Sequence, residues 1–197
     1  METFIFASNN RHKLDEIRSV LGNDFTIMDL KEAGILIDIP EPHDSLEANA
    51  SEKSLTIYRL TGRNCFSEDT GLEVETLGGQ PGVNSARYAG ENRSSDQNIA
   101  KLLNKLSSSA NRKARFRTLI SLQLEGKEYV FEGICNGSII SEKKGEHGFG
   151  YDPVFIPEGS TKTFAEMNLA EKNKFSHRKK AMDKLVAFLI KKDQNAA

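Results

Sequence analysis

The sequence predicts an α/β fold, a long mixed sheet with helices packed on it. Three observations carry the prediction. The chain opens with an apolar run, a polar turn and an amphipathic helix in that order, which is how an α/β unit begins. Leu72 and Val74 alternate with Glu73 and Glu75, the pattern of a half-exposed strand. Two β-like segments meet at Gly126-Lys127, which brings an antiparallel hairpin into the same architecture. No internal repeat or long low-complexity stretch divides the chain, and residues 1–197 are expected to form a single domain.

Residues 3–7 (TFIFA) are apolar throughout, so this first strand is expected to be buried on both faces. The polar Ser8-Asn9-Asn10 follows. A helix then carries Leu14, Ile17 and Leu21 on one stripe, with Gly22 as its stop. Asp44 and Glu47 have the spacing of a capping box, opening a helix that runs to Gly62. Cys65-Phe66-Ser67 reads as a strand ending at Glu68-Asp69, with the 72–75 alternation after it. Ser95 is expected to cap a helix bearing Ile99, Leu102, Leu103 and Leu106, and residues 107–111 to form a loop. Residues 115–125 and 128–135 are the two arms of the hairpin. Ser176 is expected to cap a last helix with Ala181, Leu185, Phe188 and Leu189 on its stripe.

Composition narrows the function. Charged residues make up 28% of the chain, with 27 Lys+Arg against 28 Asp+Glu, for a net charge of −1. A protein that coats nucleic acid is normally basic, so that class is disfavoured. The charge is nevertheless uneven. Residues 29–75 hold eleven acids and four bases, and residues 161–192 hold nine bases and three acids. Such a chain can offer a cation site and an anion site. No apolar run reaches the roughly 18 residues of a membrane span. The opening METFIFASNN lacks a basic n-region and does not read as a signal peptide. Cys65 and Cys135 are too few for a zinc site and are expected as reduced, buried thiols.

Four segments could carry chemistry. In SNNRHKLDE (residues 8–16), a strand-to-helix turn presents free N–H groups and the positive end of a helix dipole, which suits a phosphate. Asn10, Lys13 and Glu16 share a face there. The segment has neither GxxxxGK[ST] nor GxGxxG. In SEDTG (residues 67–71), adjacent acids make an oxygen-rich corner fit for Mg²⁺, and a carboxylate there can orient a water. In GFGYDP (residues 148–153), glycines allow close approach to a flat ligand on which Phe149 can stack. In EKNKFSHR (residues 171–178), His177 and Arg178 stand at a positive helix end, an electrostatic conflict that an acid or a ligand must resolve.

The ordered set SNN-x-x-K-x-x-E, SEDTGLEVE-x-L-x-G-x-PGV-x-SARYAG, GFGYDPVF and FAEM-x-x-x-EKN-x-x-SHR resembles the inosine triphosphatase family, pyrophosphatases of non-standard purine nucleoside triphosphates. The resemblance runs from Phe4 to about Leu189. It implies two lobes around a central cleft, a homodimer, and Mg²⁺-dependent hydrolysis of ITP, dITP and XTP to the monophosphate and pyrophosphate; a cytoplasmic location is the expectation from the two reduced cysteines. It implies that Ser8, Asn9, Asn10, Arg11, His12 and Lys13 hold the triphosphate. Asp69 would bind Mg²⁺ and act as general base, and Thr70 would contact the nucleotide. Phe149, Gly150, Tyr151 and Asp152 would cradle base and sugar. Lys172 would contact substrate, and His177 with Arg178 would read the purine 6-keto group. Glu41 is the best match to the family's second metal ligand, with Glu16 and Glu68 as further candidates. The rival expectations are a nucleotide-binding regulator without catalysis and a nucleic-acid binder using the basic C-terminal third.

Overall fold

The computed structural model describes residues 3–21 and 25–196. Its strands are β1 (Thr3–Phe6), β2 (Thr26–Met28), β3 (Cys65–Val74), β4 (Pro81–Gly82), β5 (Lys113–Leu124), β6 (Lys127–Ile139) and β7 (Phe155–Pro157). Its helices are α1 (Arg11–Leu21), α2 (Leu46–Thr61), α3 (Ser95–Lys105), α4 (Leu169–Asn173) and α5 (His177–Ala196). The strands pair in the order β2-β1-β3-β5-β6-β7, with β4 on β3. β1 pairs in parallel with β2 and β3, whereas β4 and β7 pair antiparallel. This is the mixed α/β sheet that the sequence predicts.

The chain forms two compact units. The first comprises residues 1–69, 118–133 and 178–197. Here β1 is buried on both faces, as its continuous apolar run requires. Phe4 and Phe6 join Leu14 and Ile17 of α1 and Leu185 and Leu189 of α5 in one cluster. Ile5 and Ala7, on the opposite face, join Ile57 of α2 and Cys65 in another. The second unit comprises residues 70–117 and 134–177. Its core gathers Leu72, Val74, Leu102, Phe116, Phe155 and Phe164. Cys65 and Cys135 are buried thiols, as expected. Burial pushes the Cys65 thiol up to about 12, so it stays protonated.

Several boundaries differ from the sequence reading. β3 is one ten-residue strand that runs through Glu68-Asp69 without stopping. Burial accounts for this, since Glu68 and Asp69 are as enclosed as their apolar neighbours. The N-cap of α2 is Ser45, whose side chain accepts from the Ala48 N–H, and not Asp44. The N-cap of α3 is Ser94, one residue before Ser95. The β5–β6 turn is Glu125-Gly126, one residue earlier than read, with positive φ at both positions (52° and 78°). That is the type I′ geometry, whose twist matches the flanking strands, and glycine supplies its second position without strain. Gly22 lies outside the described residues.

Candidate active site

In the first unit the phosphate-like turn follows β1. The Ser8 hydroxyl accepts from the Asn10 N–H at 3.1 Å, and the Asn10 side chain accepts from the Lys13 N–H at 3.1 Å, capping α1. Asn9, Asn10, Arg11 and His12 are exposed, and Ser8 and Lys13 half-buried. The first turn of α1 carries no acid. Three basic residues therefore stand at the positive end of the helix dipole, an arrangement that an anion would relieve.

Glu68 and Asp69 point to opposite faces of β3, and each face builds its own charge cluster. On one, Glu68 is fully buried and bonds Arg178 through Nε at 2.6 Å and Nη2 at 2.8 Å. Lys13 Nζ reaches Glu68 Oε1 at 2.9 Å, and Arg178 Nη1 also bonds Glu16. Burial raises the Glu68 pKa, but Arg178 and Lys13 outweigh it and hold the carboxyl below the usual carboxylate range. The guanidinium is itself held charged, because Glu68 and Glu16 overcome its desolvation. Arg178, expected to read a base, is thus fully buried and bonded to carboxylates at Nε, Nη1 and Nη2.

On the other face, Lys53 Nζ donates to Glu41 Oε1 at 2.7 Å, to the Glu68 carbonyl at 2.8 Å and to Asp69 Oδ1 at 3.4 Å. Asp69 is 7% exposed, and its Oδ2 is a buried oxygen with no hydrogen-bond partner among the described residues. Burial raises the Asp69 pKa and Glu41 adds to it, with Lys53 and Lys13 opposing. The loop bearing Glu41 is tied to α2 by Asn49, which accepts from the His43 N–H and donates to the His43 carbonyl. The Ser67 hydroxyl ties β3 to the Ala50 carbonyl of the same helix. Among the described residues no three His, Cys, Asp or Glu side chains converge as a metal cluster. Two carboxylates still fit Mg²⁺, which keeps waters and takes substrate phosphates as its remaining ligands. The orphaned Asp69 Oδ2 is an oxygen such an ion could take.

In the second unit, Asp152 organises the glycine loop. Its Oδ2 accepts from the Phe149 N–H at 2.9 Å and from Lys172 Nζ at 2.7 Å. Lys172 also lies 5.3 Å over the Phe149 ring, within cation–π range. Gly148 has φ +75°, and a Cβ there would collide with the Asp152 carboxylate, so any other residue is strained and must push that carboxylate aside. Tyr151, expected at the base, is a core residue whose hydroxyl donates to the Ser85 carbonyl at 2.9 Å. His177 is buried and stacks on Phe116 at 4.8 Å. Thr70 and Gly150 are half-buried.

Lys53 is the functional candidate that the sequence reading missed. It falls on the buried stripe of α2 with Asn49, Ala50, Ser54 and Ile57. A lysine in register with an apolar helix stripe was the signal available, since a buried ammonium needs a partner.

The Ham1 family model matches residues 4–188. A dITP/XTP pyrophosphatase of Flavobacterium johnsoniae is 49% identical over 94% of this chain and 96% of its own. Another, of Porphyromonas gingivalis, is 51% identical over 96% and 98%. The solved structure of the Staphylococcus aureus Ham1 protein superposes with a TM-score of 0.88 at 38% identity, covering 97% of this chain and all of that one. A Coxiella burnetii HAM1 protein gives 0.88 at 32% identity, with the same coverage.

Proposed function

The chain belongs to the Ham1 family, and on that premise we propose that it is a dITP/XTP pyrophosphatase which also accepts ITP. It releases pyrophosphate and the monophosphate with Mg²⁺ as cofactor. The relatives' names support the activity. The observation that carries the chemistry is the buried Asp69 with its orphaned Oδ2 beside Glu41.

Glu41 and Asp69 would hold the Mg²⁺, which when bound neutralises phosphate charge and acts as a Lewis acid. The positive end of α1, with Arg11, His12 and Lys13, attracts the triphosphate. Asp69, made more basic by burial, orients a water and takes its proton as the water attacks the α-phosphorus. Phosphoryl chemistry of this kind is mostly positioning and electrostatics. In the second unit, Phe149 offers a ring to a base, and Asp152 fixes that ring's loop and the Lys172 ammonium. His177 would meet a keto oxygen. Discrimination against adenine would follow from a protein donor left unpaired, worth about 1–3 kcal/mol. A cytoplasmic homodimer is part of the same proposal, checked in solution by sedimentation.

Pyrophosphate release from dITP, XTP and ITP, compared with ATP and GTP, with Mg²⁺ and with EDTA, tests the reading. Release from the first three that stops in EDTA is expected, and equal rates on all five would overturn it. Asp69→Asn is expected to fold and to lose about a hundredfold or more of turnover. Near-parental turnover would remove Asp69 from the reaction.

A further inference from the structure

We propose that Lys53 is a built-in counter-ion, a positioning residue that holds Glu41 and Asp69 together when no divalent cation does. The proposal deepens the metal reading above and rests on that reading only for its Mg²⁺ arm.

The geometry is that of a satisfied, rigid ammonium. The Lys53 side chain is 8% exposed. Its three N–H donors have three acceptors: Glu41 Oε1, the Glu68 carbonyl and Asp69 Oδ1. The stem rises from the buried stripe of α2, and that helix is tied to the Glu41 loop by Asn49 and to β3 by Ser67. The residues that Lys53 joins are therefore already anchored to its own helix. Without a cation, Glu41 and Asp69 would be like charges in a poorly solvated place and would repel. Lys13, the other cation that acts on Asp69, has its ammonium on Glu68.

Lys53 leaves Asp69 Oδ2 without a hydrogen bond. The carboxylate pair is thus partly neutralised while one oxygen stays open. Two consequences follow from electrostatics. The Lys53 charge stabilises the metal-free fold by offsetting the repulsion between the two carboxylates. The fixed positive charge also repels an incoming divalent ion, so Lys53 lowers the affinity of the site for Mg²⁺.

The test is the melting temperature of the full chain, in EDTA and in saturating Mg²⁺, for the parent, Lys53→Met and the double variant Lys53→Met/Glu41→Gln. Lys53→Met is expected to melt roughly 6 °C or more below the parent in EDTA. Mg²⁺ is expected to raise its melting temperature by more than it raises the parent's. The double variant is expected to recover part of the loss in EDTA, because it removes one of the uncompensated acids. Unchanged melting of Lys53→Met in EDTA would overturn the proposal, as would a double variant less stable than the single one. A parental Mg²⁺ shift that Lys53→Met does not exceed would overturn it too. If Mg²⁺ moves neither protein, the metal reading fails instead and the EDTA arm alone decides Lys53. If Lys53→Met does not fold, a folded double variant supports the counter-ion role and an unfolded one overturns it.

Discussion

Arg178 is 1% exposed, and such burial is tolerable only because carboxylates meet its charge. Glu68 takes Nε and Nη2 together, a paired geometry that lysine could not reproduce, and Glu16 takes Nη1. Arg178→Ala would strand two buried acids. It is expected to cost about 3–5 kcal/mol in urea unfolding, so stability must be measured before any change in substrate choice is read. Arg178→Lys should recover only part of the loss. If the alanine variant unfolds like the parent, the guanidinium does not hold this cluster. The conflict noticed in the sequence, cations at the positive end of a helix, is thus met for Arg178 by acids from α1 and β3. No local pattern could have named those acids.

At the level of elements, α2 and the glycine loop do the positioning. α2 starts on Ser45, and its register sets where Lys53 reaches. Ser45→Ala removes the cap and should cost about 0.5–2 kcal/mol in thermal or urea unfolding. An unchanged midpoint would show that packing alone sets the helix start. The loop before residues 152–154 depends on Gly148, whose place a Cβ cannot share with Asp152. Gly148→Ala should displace the carboxylate that fixes the Phe149 N–H and Lys172. The expected outcome is a rise in KM for dITP of about tenfold or more, the equivalent of one charge-assisted bond. A parental KM would detach this loop from substrate binding.

For the molecule as a whole, the buried charges link folding to pH. The folded-state pKa of Glu68 lies below its ordinary value of 4.5. The stability it contributes is therefore present above pH 4.5 and is lost as pH falls through the lowered folded value. Urea titrations of Glu68→Gln against the parent should differ most near neutrality and converge in strong acid. A constant gap across that range would mean that the ion pairs of Glu68 do not drive acid unfolding.

The sequence by itself determined the α/β class, the helix stripes, the hairpin and the family, because these depend on periodicity and on ordered local motifs. It also singled out Asp69 and the residue 8–13 turn as candidates, because the residue types that suggest them stand side by side in the chain. It ended β3 too early, because two adjacent acids look like a strand end until burial and distant cations are known. Only the tertiary structure decided that Glu68 faces Arg178 and Lys13 while Asp69 faces Lys53 and Glu41. The packing of Tyr151, expected to cradle base and sugar with its neighbours, is likewise set from a distance, its buried hydroxyl donating to the Ser85 carbonyl. Partners separated by up to 162 residues, as Glu16 and Arg178 are, leave no spacing in the chain to read, and burial decides whether such a charge is solvated or paired.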